Sequence, residues 1–130
     1  MNDKVEKLQG ENQPPLMINA QFVRDLSFEA PNSPAIFSEL RNMPEININV
    51  DVQASRIENN LFEVGLKFNI TGKVAEKVAF LAELVYGAVV TLNVEQQHVE
   101  PMLLIEVPRH LFPFARNIIA DLTRDGGFPP

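Results

Sequence analysis

Four stretches between residues 16 and 94 alternate apolar and polar side chains with a period of two, and beyond them the period becomes helical. A period of two sends successive side chains to opposite faces, so each stretch predicts a strand with one face buried. In the first, residues 16–29, Ile18, Ala20, Phe22, Leu26 and Phe28 oppose Asn19, Gln21, Asp25, Ser27 and Glu29. Val23 and Arg24 fall out of step, which points to a bulge or an edge position. The second sets Ile46, Ile48, Val50 and Val52 against Glu45, Asn47, Asn49, Asp51 and Gln53. After a turn near Asn59-Asn60, the third sets Phe62, Val64, Leu66, Phe68 and Ile70 against Glu63, Gly65, Lys67, Asn69 and Thr71. The fourth, residues 78–94, is apolar in both rows. That pattern belongs to a strand covered on both sides, so its outer face calls for another subunit or a partner.

Helical spacing follows. Glu100-Pro101 reads as a start, with proline in the first turn and an acid near the positive end of the dipole. Pro108 reads as its stop, because proline lacks the donor and crowds the preceding turn. A second helix is expected from about Leu111 to Asp125, with Leu111, Ala115, Ile118, Ile119 and Leu122 on one face and Gly126-Gly127 as its end. Strands followed by helices give an α+β class: a four-stranded antiparallel meander with two C-terminal helices packed on one face. Residues 1–15 are polar and end in Pro14-Pro15, so they read as a disordered tail before a domain at 16–130. Residues 30–44 make a long connection carrying Ile36, Phe37, Leu40 and Met43. It is either a crossover that these side chains anchor or a functional loop.

The charge balance narrows the function classes. Eleven basic residues against 17 acidic ones give −6, which weighs against nucleic acid and anionic membrane surfaces. The absence of cysteine removes disulfides, thiolate metal sites and a cysteine nucleophile. No apolar run is long enough to span a bilayer, and the polar start is unlike a secretory signal. No catalytic or phosphate-binding motif occurs, and His98 and His110 stand apart. The expectation is therefore a non-enzyme without metal or cofactor. Strand parity alone groups Asp25 and Glu29 with Leu81 and Glu83 on the outer face. Such a face is either simply solvated or docks a basic partner, with the leucine adding affinity.

Four segments together resemble one family: Asp25-Leu26-Ser27-Phe28-Glu29-Ala30-Pro31-Asn32-Ser33-Pro34, Ala79-Phe80-Leu81-Ala82-Glu83, Pro108-Arg109-His110-Leu111-Phe112-Pro113-Phe114-Ala115-Arg116 and Gly126-Gly127-Phe128-Pro129-Pro130. In this order and spacing they are similar to the bacterial protein-export chaperones of the SecB family. The resemblance implies a cytoplasmic holdase that binds unfolded preproteins and passes them to the SecA ATPase, using no nucleotide itself. It implies a homotetramer, a dimer of dimers. It implies SecA docking through Asp25, Glu29, Leu81 and Glu83. It implies client contacts from Ile36, Phe37, Leu40 and Met43, joined by Phe112 and Phe114, in apolar grooves. Positions affecting assembly fall on Phe80, Ala82, Leu84 and Tyr86, and surplus apolar surface on the helix adds Ile118 and Leu122. A SecB-like chaperone dedicated to a toxin–antitoxin system is the alternative within the same fold.

Overall fold

A computed structural model describes residues 13–41 and 43–129; the expected tail at residues 1–15 lies, up to residue 12, outside them. β1 (Leu16–Glu29), β2 (Glu45–Glu58), β3 (Leu61–Val74) and β4 (Lys77–Leu92) form one antiparallel sheet in the order β1-β4-β3-β2. This corrects the expected meander. Only β2, β3 and β4 follow one another as neighbours, while β1 returns beside β4, which is a Greek-key arrangement. The long connection at 30–44 is the cause: it must carry the chain from one edge of the sheet to the other. A five-residue 3₁₀ turn, Ala35–Glu39, pins it through Ile36, which is buried in the core. The Asn32 amide, which donates to the Val78 carbonyl at 2.9 Å, holds its first half. The β3–β4 hairpin closes on Ala75-Glu76, both with positive φ (49° and 66°), the geometry that matches strand twist.

β1 departs from simple alternation in an ordered way. Ile18 pairs with Val90, then Asn19 is skipped, and Ala20, Gln21, Phe22 and Val23 face Val89, Ala88, Gly87 and Tyr86. Arg24 is skipped next, and Asp25 faces Val85. Each skipped residue is a bulge that flips the faces, and the second flip restores the first parity. Phe22 therefore lies on the outer face, not in the expected inner row. Its ring sits over Gly87, where an added Cβ would come within 2.9 Å of it. Part of β4's outer apolar face is thus covered by the chain's own β1.

The C-terminal helix is one element, where two were expected. α1 occupies residues 96–125: an α turn Gln96–Pro101, π geometry Met102–Glu106, and α geometry Val107–Asp125. The π segment is where Pro108 acts. Val107 N–H bonds back five residues to the Met102 carbonyl, widening the turn that proline would crowd. The helix also passes through Pro113. Burial explains why it survives. Leu103, Val107, Leu111 and Ala115 are all buried against the sheet. Burying Leu103, Val107 and Leu111 is worth about 1.5–3 kcal/mol each, enough to offset proline penalties of about 3 kcal/mol. The helix ends in a Schellman motif: Phe128 N–H reaches the Thr123 carbonyl, Gly127 N–H reaches Arg124, and Gly127 takes φ +92°.

Candidate interaction surfaces

The outer surface is built by cross-strand register. Glu83 lies opposite Ser27, Leu81 opposite Glu29 and Val85 opposite Asp25, so the expected quartet of Asp25, Glu29, Leu81 and Glu83 shares one end of the outer face. The carboxylates are exposed, Leu81 is 38% exposed, and a shallow cleft of about 260 Å³ lies beside them, edged by Asn69 and Thr71. Among the described residues, none of Asp25, Glu29 and Glu83 takes part in an ion pair. Elsewhere on this face Arg24 neutralises Glu63 at 2.8 Å. An unneutralised acidic end with one apolar side chain can steer and hold a basic segment.

The second surface lies on the inner side. Four strands spaced about 4.8 Å apart span roughly 15–19 Å, whereas a helix with its side chains covers about 10 Å. α1 packs over β3 and β4 and touches β2 through its π segment, leaving uncovered surface at the β2 edge beside its second half. On the β2 flank Ile46, Ile48 and Val50 remain about half exposed (45%, 55% and 50%). Between them and the second half of α1 runs an apolar groove of about 210 Å³. Met43, Pro44, Ile46, Ile48 and Ile70 line one side, Ile119, Ala120 and Thr123 the other, with Phe80 at the floor and Arg116 and Pro129 at the rim. β2 is also a sheet edge, so its outward main-chain donors and acceptors border the groove.

The expected client residues scatter around this groove. Met43 lines it and is largely exposed. Ile36 is buried in the core and cannot touch a client directly. Phe37 packs on Gly127 and lies 5.3 Å, ring to ring, from Phe128, which in turn reaches Phe80 at 5.2 Å. Leu40 is half-buried against the core. Phe112 lies 6.1 Å from the Phe68 ring, and both it and Phe114 expose about half their surface on α1. The groove is lined by residues of β2 and the helix wall that sequence reading did not single out. Their apolar row was visible, but it reads as core unless the width of the covering helix is counted.

The residues expected to affect assembly lie inside the chain. Phe80, Ala82, Leu84 and Tyr86 are buried within the chain's own core, in the cluster that also holds Leu103, Val107, Leu111 and Ala115, so they offer a neighbour no surface. Ile118 and Leu122 are half-buried. The apolar side chains that α1 does leave exposed are Leu104, Ile105, Phe112 and Phe114. Among the described residues no helix is long and apolar enough to cross a membrane, and no group of acids and histidines could hold a metal.

Residues 9–130 match the family model described as preprotein translocase subunit SecB. The chain belongs to the SecB family. It is 60% identical to the protein-export protein SecB of Rhodospirillum rubrum over 121 residues, covering 93% of this chain and 76% of that protein. It is 48% identical to the protein of the same name from Granulibacter bethesdensis, over 90% of this chain and 74% of the relative. In three dimensions it is similar to a SecB-like chaperone of Mycobacterium tuberculosis in complex with an antitoxin peptide, with a TM-score of 0.72 over 89% of this chain and 86% of that one. Identity there is 12%, so that likeness concerns the fold.

Proposed function

We propose that this SecB-family chain is a bacterial cytoplasmic holdase that keeps unfolded preproteins competent for export and hands them to SecA. The role of export chaperone follows from the family. The assignment of surfaces is our own reading. The observation that carries it is the β2 edge: aliphatic side chains half exposed along a free strand edge, beside a groove that no described residue fills. Such a site accepts extended chains of many sequences, because dewetting and main-chain pairing ignore side-chain identity. Met43 reaches the client directly. Phe37 and Leu40 shape the strap that borders the groove, and Ile36 fixes that strap from beneath.

The acidic quartet Asp25, Glu29, Leu81 and Glu83 is the docking site for SecA, set on the face opposite the client. One molecule can therefore hold a client and meet the motor at once. Tetramer assembly, as a dimer of dimers, uses the apolar side chains that α1 leaves exposed, Leu104, Ile105, Phe112 and Phe114, together with Ile118 and Leu122. Phe80, Ala82, Leu84 and Tyr86 influence assembly by seating that helix. No nucleotide, metal or cofactor enters this scheme.

The test is a refolding-arrest assay on several unrelated denatured proteins, run with native mass measurement. The chain should slow refolding of all of them and weigh four protomers. Arrest of a single protein alone would instead favour a dedicated chaperone of the toxin–antitoxin kind.

A further inference from the structure

The groove wall is apolar except at one point. Among the described residues, Arg116 is the sole charged group lining it. Thr123, the other side-chain donor there, is buried and already directs its hydroxyl at the Ile119 and Ala120 carbonyls, 3.2 and 3.0 Å away. Arg116 also differs from its helix companions. Arg109 pairs with Glu106 and Arg124 with Asp121, each one turn away. The residues three and four positions from Arg116 are Phe112, Pro113, Ile119 and Ala120, and none is acidic. Among the described residues it forms no ion pair. A planar five-donor group, itself exposed, thus stands at the rim of an apolar groove with no ion-pair partner among the described residues.

We propose that Arg116 is a recognition residue of this groove, donating to main-chain carbonyl oxygens of the extended polypeptide that occupies it. This rests on the reading of the groove as the client site. A chain laid between aliphatic walls must leave the water that solvated its carbonyls, and each one left unmet costs about 1–3 kcal/mol. Isoleucine, alanine and proline side chains offer nothing in return. The guanidinium can meet two such oxygens while its stem stays on the apolar wall. Main-chain oxygens, rather than carboxylates, are the acceptors that fit, because the chain's charge of −6 repels acidic segments. A backbone reader is also indifferent to client sequence.

The experiment measures binding of synthetic twelve-residue peptides, amidated at the C-terminus, sharing one apolar core and differing only in neutral, acidic or basic flanks. The full chain is compared with Arg116→Met and Arg116→Gln, both good helix formers at an exposed site. Circular dichroism and native mass measurement check that each variant folds and assembles as the parent does. Arg116→Met should weaken all three peptides by about tenfold. Arg116→Gln, which keeps a donor without charge, should recover a large part of that loss, and the loss should persist at high salt. Unchanged binding in Arg116→Met, or a loss confined to the acidic peptide, overturns the proposal. Ile48→Asp separates the two levels. If it leaves binding intact, the groove itself is misassigned; if it abolishes binding while Arg116→Met does not, only the role of Arg116 falls.

Discussion

On the outer face of the sheet, strand geometry alone decides which side chains meet; on the inner face, the path of the helix decides. The outer quartet is assembled from two neighbouring strands whose register is continuous from Asp25 to Glu29. No other element needs to be in place for Glu83 to stand beside Glu29. The inner groove exists only because the second half of α1 is held over β3 and β4, leaving its π segment as the part that touches β2. The outer site is therefore robust to changes in packing and sensitive to charge, and the inner site is the reverse. Residues 82 and 83 of one strand sample both regimes one peptide apart.

The largest effect is expected at residue 82. Ala82→Tyr inserts a ring into the buried layer beneath α1, and overpacking of this kind costs about 1–3 kcal/mol, more where the backbone must move. Denaturant unfolding should show the loss, and native mass measurement should show dimers replacing tetramers as the helix shifts. A tetramer of unchanged stability would mean that α1 is not seated on this row. Next in size is Ile48→Asp on the bare flank. The residue is already 55% exposed, so stability should hold within about 0.5 kcal/mol while client affinity falls about tenfold. Equal client binding would remove the β2 flank from the client site. Glu83→Lys should weaken SecA docking several-fold, most strongly at low salt, with assembly and client binding unchanged. Loss of assembly there would contradict its placement on the outer face.

What the sequence made legible follows the same division. Period two placed all four strands and grouped the outer quartet, because a strand's faces depend on local alternation only. The long stretch at 30–44 announced a crossover but was read into a meander, since strand order is a matter of long-range pairing that no local pattern encodes. Pro108 was read as a boundary because its cost is local, whereas the burial of Leu103, Val107 and Leu111 that outweighs it is tertiary. Merging two helices into one also covers residues that two helices would leave open. A stop at Pro108 would free the inward row of β4 for a neighbour, while the continuous helix covers it.

β1 is the strand where parity fails twice, each time at an inserted residue, while β2 and β4 carry one register shift each near an end. Val23 and Arg24 signalled a bulge, but a single bulge would have inverted everything after it. The structure has two, at Asn19 and Arg24, so only residues 20–23 are inverted and Asp25 returns to the outer face. The inversion has a measurable signature. It turns Gln21 inward, where its side-chain oxygen accepts a 2.9 Å hydrogen bond from the Tyr86 hydroxyl. Without the first bulge Gln21 would point outward and Tyr86 would have no such partner. Tyr86→Phe should therefore cost about 1 kcal/mol, the net value of one partly buried hydrogen bond, with no change in SecA docking. The double variant with Gln21→Leu should cost less than the two single changes added together, since an apolar pair of similar shape leaves no unmet acceptor. Strict additivity in that cycle would return Gln21 to the outer face. It would also leave Phe22 without its seat on Gly87 and make the covering of β4 there a matter for a second subunit.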